Sequence, residues 1–296
     1  MTAVANERKY RITWRGAPGS PRWRFTGDPV GMLCLGIVLL ILLAAICAPL
    51  LTGYAAQGLG DPNPIEKLQP PSTAHWLGTD HLGRDLWARI LFGARTSLSI
   101  AATVVILSIV IGVPLGILAA YFGGWIDEGI MRVTDVFLAF PPLLLAILIA
   151  AAMGPGLLNC AVAIALSWWP WYARIARAQG LSLRHQPFVE AAQVIGVRDL
   201  AIMLRHILPG VLTPVLVQAT LDFGSAILTE SALAFLGLGA GPPTPDWGAL
   251  VSSGRIYFPD RWWYVVFSGL AIFVTTLSFT LIGDSLRDAF DTKRRS

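Results

Sequence analysis

Long uncharged stretches dominate the chain, and short segments between them carry most of its charge. A transmembrane helix needs about 20 apolar residues to cross a hydrocarbon core of about 30 Å. The third and fourth apolar stretches are short, and the fourth ends in the cluster WWPWY, which suits a membrane interface. We therefore predict an all-α polytopic membrane protein with six transmembrane helices, over 30–51, 96–122, 136–153, 157–173, 211–238 and 262–283.

The distribution of Lys and Arg predicts the orientation of these spans. The segments 1–29, 123–135, 174–206 and 284–296 together carry sixteen basic residues, whereas the other connecting segments carry six. Because basic residues are retained on the cytoplasmic side, both termini and the 174–206 loop are predicted to be cytoplasmic. The predicted organisation is a cytoplasmic segment 1–29, a first helix 30–51, an external loop 52–95, a core domain 96–283 and a tail 284–296.

Composition supports a membrane protein. The 296 residues are 55% hydrophobic and 14% charged, with mean hydropathy +0.63, whereas soluble domains carry about 25% charged residues. The net charge of +4 indicates no nucleic-acid partner, because the basic residues flank apolar spans. The first apolar run exceeds the 7–15-residue core of a signal peptide, so we expect an uncleaved span.

Residue patterns that would indicate an enzyme are missing from the sequence. It contains no HExxH, no GxSxG and no GxxxxGK[ST] phosphate loop. The three cysteines lack CxxC spacing and the four histidines lack ligand spacing, so we predict neither a catalytic residue nor a metal site. ATP-driven transport would therefore require a separate ATPase. A stand-alone channel or secondary transporter is the alternative from a different class.

The cytoplasmic segment FVEAAQVIGVRDLAIMLRHILP (188–209) predicts a helix, a glycine turn and a second helix. Pro187 suits the first turn of a helix and Gly196 suits its end. Glu190 lies in the first turn, where a carboxylate complements the helix dipole. Asp199 is a candidate N-cap for the second helix, which leads into the fifth span.

Spacing predicts one apolar face on the first of these helices. Its members recur at i, i+3, i+4 and i+7, and they are Phe188, Ala191, Ala192 and Ile195. Small alanines would allow another protein to approach closely. The alternative is an interfacial helix that lies on lipid, and the pattern alone leaves both interpretations open.

EAAQVIG followed by HILP resembles the EAA loop of bacterial ATP-binding-cassette importer permeases. That motif consists of Glu-Ala-Ala, three residues, Gly, nine residues, Ile, one residue and Leu-Pro. His206 stands where the motif has Ile, and Ile207 follows one position late. In that family the loop forms a coupling helix that docks in a groove of the ATPase. The resemblance implies that the coupling residues are Glu190, Ala191, Ala192, Gly196, Leu208 and Pro209.

The chain is also similar to the dipeptide, oligopeptide and nickel importer permeases in three further segments, 76–98, 230–251 and 267–291. These importers contain two paired permeases, and the segments resemble the second of the pair. The resemblance implies a type I importer permease fold in the bacterial plasma membrane and an alternating-access mechanism. It implies a homologous second permease, two ATP-binding subunits that hold ATP and Mg²⁺, and an external substrate-binding protein. No cofactor is expected in this chain. Di- or oligopeptides are the first substrate hypothesis, and nickel or a metal chelate is the alternative.

Two acidic residues interrupt the fifth span, Asp222 and Glu230. A carboxylate at mid-bilayer costs about 2.5–3.5 kcal/mol on insertion scales, so each should face a cavity, a partner helix or water. Their separation of eight residues corresponds to about 80° around a helix and about 12 Å along it, too far for a tight pair. Both are candidates for the lining of a translocation pathway that attracts a cationic group. A helix–helix hydrogen bond is the structural alternative.

Four shorter patterns carry structural predictions. Asp80, Gly83 and Asp85 in GTDHLGRD (78–85) are expected to cap a turn and the following helix; a metal site with the nearby histidines matches no standard spacing. The stiff segment 241–248 is expected to cover helix ends, with contact to a binding protein as the alternative. The pair Gly112 and Gly116 predicts close helix packing. The tail 283–291 is predicted to start a solvated helix, with Asp284 near its N-terminus.

Overall fold

The computed structural model describes residues 27–290. The predicted segments 1–29 and 284–296 lie partly outside that range. Within it the predicted all-α class is confirmed, since only an isolated bridge between Thr79 and Asp85 has strand-like pairing. The α-helices in chain order are α1 (Pro29–Ile46), α2 (Ala48–Leu51), α3 (Ala55–Leu59), α4 (Leu86–Phe122), α5 (Gly124–Leu138), α6 (Pro142–Met153), α7 (Leu157–Arg184), α8 (Pro187–Val194), α9 (Asp199–Ile202), α10 (Leu208–Phe235), α11 (Trp247–Gly254) and α12 (Trp262–Phe290).

Four helices in the described range are long and apolar enough to cross a membrane: α1, α4, α12 and the continuous helix Asp199–Phe235. The pair α5 and α6 makes a fifth crossing if its two arms count as one span. Helix α7 has 28 residues but is less apolar, because it contains the WWPWY cluster and three arginines. The count of six spans therefore stays a prediction.

The first span is shorter than predicted, because the chain breaks at Cys47 between α1 and α2. Pro49 has no N–H to donate to the carbonyl of Ala45, four residues earlier. Arg95 on α4 supplies the missing donors: its Nε lies 2.5 Å from the Ala45 carbonyl oxygen and its Nη2 lies 2.7 Å from that of Ile46. The guanidinium thus provides hydrogen-bond donors for carbonyl groups at the end of α1, where the helix has no N–H from Pro49.

Helix α4 begins ten residues before the predicted span, and its start confirms the capping interpretation of 78–85. Asp85 is the N-cap, and its Oδ1 accepts the N–H of Ala88 at 2.7 Å. Asp80 accepts the backbone N–H of Arg84 and pairs with its side chain at 2.6 Å. His75 Nδ1 lies 2.9 Å from Asp85 Oδ2, where the carboxylate can accept its proton in a hydrogen bond. Across residues 27–290, no three His, Cys, Asp or Glu side chains are grouped to hold a metal ion.

The prediction of one continuous third span over 136–153 is wrong. Helices α5 and α6 meet at an angle of 88°, with the break at 139–141. Two consecutive prolines, Pro141 and Pro142, remove the N–H groups that a continuous helix would need there. The segment 124–135, predicted as loop, is helical and is held to α7 by a two-pronged Asp127–Arg177 ion pair at 2.5 and 2.6 Å.

Two other helices extend beyond their predicted ends. Helix α7 continues eleven residues past the predicted span, to Arg184, so a third of the predicted 174–206 loop is the end of a long helix. Helix α12 runs unbroken from Trp262 to Phe290. The prediction that Asp284 lies near the start of a separate helix is therefore wrong. In both cases charge marks the point where a helix leaves the hydrocarbon and not the point where it ends.

Helices α4 and α7 pack closely at Gly112 and Gly116, as the small-residue spacing predicted. A Cβ added at Gly112 would collide with the carbonyl oxygen of Trp169, and one at Gly116 would collide with that of Ala173. Pro114 lies inside the same continuous helix. The absent side chains therefore let the two backbones touch.

Substitution of Gly112 by Val should destabilise this contact by about 1–3 kcal/mol, the usual cost of overpacking. The expected result is a lower midpoint of thermal unfolding in detergent. Gly36→Val is the matched control, because Gly36 lies in α1 with no neighbour within 4 Å of an added Cβ. Equal midpoints for the two variants would contradict the packing role of Gly112.

Candidate functional site

Helix α8 has the ends that the sequence predicted. Pro187 is its first residue, and Glu190 lies in its first turn. At the other end, Val197 N–H donates to the Ala192 carbonyl and Gly196 N–H donates to the Gln193 carbonyl, each at 3.0 Å. Gly196 has φ +79°. This pair of bonds is a Schellman motif, which requires the left-handed conformation that glycine adopts readily.

Helix α8 has apolar residues on two adjacent faces. Val189 and Ala192 are buried in a cluster with Tyr121, Ile202 and Met203. The neighbouring face is exposed: Phe188 is 48% accessible, Val194 87% and Ile195 78%, and Ala191 is exposed as well. The predicted single face is therefore wrong for Ala192, which packs against the body of the chain. Ala191 lies on the face that is free for another molecule.

The two acidic residues of the loop differ in their surroundings: Asp199 attaches the loop to α4, whereas Glu190 is exposed. The Tyr121 hydroxyl donates to Asp199 Oδ1 at 2.5 Å, which ties the loop to the end of α4. Asp199 therefore does not cap the next helix; the N-cap position belongs to Arg198 and has no side-chain hydrogen bond. Glu190 is exposed, and its carboxylate has no hydrogen-bond partner within residues 27–290.

The second part of the loop is continuous with the fifth span. A π-helical turn, Met203–Ile207, joins α9 to α10, and Leu208 N–H donates to the Met203 carbonyl. Pro209 cannot donate to the carbonyl of Arg205 and would clash with it, so the wider turn accommodates the ring. Leu208 is half-buried against the α8 cluster, and Pro209 is exposed. These two residues set the junction between loop and span.

Asp222 faces a cavity of about 450 Å³ between α6, α7 and α10. Its Oδ1 accepts Gln218 Nε2 at 2.9 Å, and the Tyr172 hydroxyl lies nearby without good hydrogen-bond geometry. Within residues 27–290 no Lys, Arg or His forms an ion pair with it. The cavity lining consists of Pro142, Trp168, Trp171, Ile175, Gln218, Asp222 and Ser225.

Glu230 is fully buried inside the chain. It lies beside Asp246, whose carboxylate accepts the Gly248 N–H at 3.0 Å and caps α11. Ser231 and Ser97 complete this polar cluster. Glu230 borders neither of the cavities near Asp222. Of the two alternatives that the sequence left open, its burial away from these cavities favours a structural role within the subunit over the lining of a pathway.

The stiff segment 241–248 covers the start of α4. The Trp247 indole N–H donates to the Ile90 carbonyl at 2.9 Å, and Arg89 donates to the Pro243 carbonyl at 2.9 Å. Trp247 is buried. These contacts match the structural interpretation of the segment.

Sequence analysis did not single out Gln218, Trp168 and Trp171 as cavity residues. Gln218 had a usable signal, since it precedes Asp222 by one helical turn and such i, i+4 pairs meet on one face. The two tryptophans belong to the WWPWY cluster, which from sequence alone suits a membrane interface. Only the packing of α7 against α10 shows that both border the cavity.

Comparison with known proteins places the chain among transport components. Residues 112–296 match the model of the binding-protein-dependent transport system inner membrane component, and residues 14–71 match the N-terminal TM domain of oligopeptide transport permease C. The methionine ABC transporter MetNI in an inward-facing conformation shares the fold, with TM-score 0.54 and 17% identity over 69% of this chain and 97% of the other.

Similar proteins are permeases of peptide systems. The dipeptide transport system permease protein DppC of Alkalihalophilus pseudofirmus is 45% identical over 91% of this chain and 88% of its own length. The probable D,D-dipeptide transport system permease protein DdpC of Escherichia coli K12 is 43% identical over 92% and 90%. The glutathione transport system permease protein GsiD of Pectobacterium atrosepticum is 41% identical over 99% and 95%.

The fold and these relatives define a multi-pass permease of the inner membrane. The chain belongs to the family of binding-protein-dependent transport system inner membrane components, in its peptide and nickel importer branch. A member of this family is a non-enzymatic subunit, and ATP hydrolysis takes place in separate subunits. Membership also implies ATPase and binding-protein partners.

Replacement of Gly196 by Ala should loosen α8. A side chain in the left-handed region costs roughly 1–2 kcal/mol, so amides in 187–198 should exchange hydrogen several-fold faster. The measurement is hydrogen exchange followed by mass spectrometry of the 187–198 peptide. Gly129→Ala is the control, since Gly129 lies in α5 with open space around it and alanine favours a helix. Unchanged exchange in Gly196→Ala would contradict the role of the Schellman motif.

Proposed function

We propose that this chain is the permease subunit of an ATP-driven importer that moves di- or oligopeptides into the cell by alternating access. The observation that carries the proposal concerns helix α8. One face of α8 is packed against the rest of the chain, and a second apolar face is exposed on the predicted cytoplasmic side. A lone amphipathic helix on lipid would not need two apolar faces. A stand-alone channel or secondary transporter would not need a prepared cytoplasmic docking helix.

The docking surface consists of the exposed α8 residues together with Glu190. Phe188, Val194 and Ile195 supply apolar area, and Ala191 leaves room for a neighbouring backbone. The Glu190 carboxylate, which has no hydrogen-bond partner within residues 27–290, is available for a charged or N–H partner. Ala192 and Gly196 do not belong to this surface but support it. Ala192 packs α8 against the rest of the chain, and Gly196 terminates the helix.

A displacement of α8 could be transmitted directly to the helices that span the membrane. In the proposed mechanism, ATP binding closes the ATPase dimer and displaces α8. The Tyr121–Asp199 hydrogen bond and the buried cluster pass this displacement to α4 and to the π-turn. Leu208 and Pro209 form the junction with α10, the helix that carries Asp222. Helix movement there would change the side to which the cavity opens.

The complete transporter would contain a homologous second permease, two ATP-binding subunits and an external binding protein. This chain would cross the membrane six times with both termini in the cytoplasm. Peptides are favoured as the substrate because relatives that share 43–45% identity are named for dipeptides. Nickel or a metal chelate is the alternative substrate within the same family.

The test is reconstitution of the complex purified from its own membrane. Proteoliposomes with ATP should accumulate labelled peptide when the binding protein is supplied, and should not accumulate it with ADP. Accumulation of nickel without peptide would select the alternative substrate. Uptake without ATP by the chain alone would overturn the importer proposal.

Substitution of Ala191 by Arg should block docking, because a long charged side chain would occupy the space that Ala leaves for the ATPase. We expect at least a tenfold loss of ATP-driven uptake and loss of ATPase subunits in co-purification, with normal insertion. Ala191→Ser is the control at the same position, since Ser adds one polar atom and little volume. Equal uptake by both variants would contradict docking through this face.

A further inference from the structure

We propose that the cavity at Asp222 is a transient binding site for the positively charged amino group of a passing peptide, with Asp222 as counter-ion and the indoles of Trp168 and Trp171 as its aromatic wall. This inference rests on the proposed peptide import. It adds the part of the substrate that is recognised and the residues that recognise it.

Asp222 lies where a passing substrate would meet it. It is the fifteenth of 28 residues in α10, near the middle of that helix. The carboxylate is half-buried and borders the cavity. A carboxylate at membrane depth normally has a cationic partner or a functional role, and the described part of the chain provides no cationic partner.

Gln218 orients the carboxylate and leaves acceptor capacity free. The Gln218 amide donates to Oδ1 at 2.9 Å. An ionised carboxylate has about four lone-pair sites, so Gln218 and a second neutral donor nearby, the Tyr172 hydroxyl, do not saturate it. An ammonium group carries several N–H donors and one positive charge, which matches the unused capacity.

The wall opposite α10 suits a cation. Trp168 and Trp171 of α7 both line the cavity, and Trp171 is 49% accessible. Indole is the aromatic side chain that attracts cations most strongly. The remaining lining is neutral: Pro142, Ile175, Gln218 and Ser225.

The cavity also has a suitable size and an exit. Its volume of about 450 Å³ falls within the range of about 300–1,000 Å³ for small-ligand sites. It adjoins a second cavity of about 630 Å³, and Ile175 and Gln218 line both. The second cavity is lined by the first half of α10, from Gly210 to Leu221, and by Arg287 and Phe290 of α12. In this inference, a peptide leaving Asp222 would pass through the second cavity toward the predicted cytoplasmic end of α10.

The test measures charge-specific binding. The permease pair with its ATPases is placed in lipid nanodiscs, without ATP or binding protein. Equilibrium dialysis then compares radiolabelled trialanine with N-acetyl-trialanine, which lacks the amino charge. We expect wild type to prefer the free peptide at least tenfold, Asp222→Asn to reduce the preference below twofold, and Asp222→Glu to restore most of it. Thr220→Val is the control, because Thr220 lines neither cavity, and it should keep the wild-type preference.

No preference in wild type, or an unchanged preference in Asp222→Asn, would overturn the inference. A wild-type complex without preference is also expected if a cationic side chain of the partner permease forms an ion pair with Asp222. ATP-driven uptake of the same peptide, measured in parallel, separates this inference from the proposed function. Normal peptide uptake without a binding preference refutes the site alone. A preference that Asp222→Asn removes, in a complex that imports no peptide, refutes peptide import and leaves the site standing.

Discussion

The structure depends on one constraint: backbone N–H and C=O groups in a bilayer need partners within the protein, because hydrocarbon offers none. Helices satisfy this wherever no proline intervenes. At three of the places where prolines do intervene, the chain supplies a local substitute or bends. Arg95 donates to the carbonyls left at the end of α1, and a π-turn accommodates Pro209. At Pro141 and Pro142 the chain bends by 88°. The shape of the helix bundle follows from these substitutions.

The two ends of the bundle are built differently. On the predicted outer side, several polar groups are buried and hydrogen-bonded: Asp246 caps α11, and Trp247 donates to the Ile90 carbonyl. Buried polar contacts of this kind rigidify a structure, because an unpaired group would be costly. On the predicted inner side, α8 presents apolar side chains with no cover from the described residues. The contacts on the outer side are made within one chain, whereas residues 27–290 leave the apolar face of α8 uncovered, as the proposed docking requires.

Features that depend on a few consecutive residues, such as helix ends and caps, could be predicted from the sequence. The bounds of α8 at Pro187 and Gly196, the cap at Asp85 and the close packing at Gly112 all follow from backbone geometry at single residues. Hydropathy was a poorer guide to helix ends, because an α-helix continues beyond the hydrocarbon when charged residues still favour it, as at Arg184 and Phe290. The burial of Ala192 and Glu230 depended on distant segments, which periodicity does not specify.

The position of the π-turn explains how a loop can act on a site in the membrane. Thirteen residues separate Pro209 from Asp222, which is about 20 Å along a straight helix. A continuous helix transmits rotation along its axis, since its hydrogen-bonded turns are stiff. π-Helical turns are frequent at functional sites. In the proposed mechanism, the turn between α9 and α10 would let the arm that is tied to Tyr121 move against the arm that bears Asp222. The irregular turn therefore lies at the place where a displacement of α8 would become a change in the wall of the cavity.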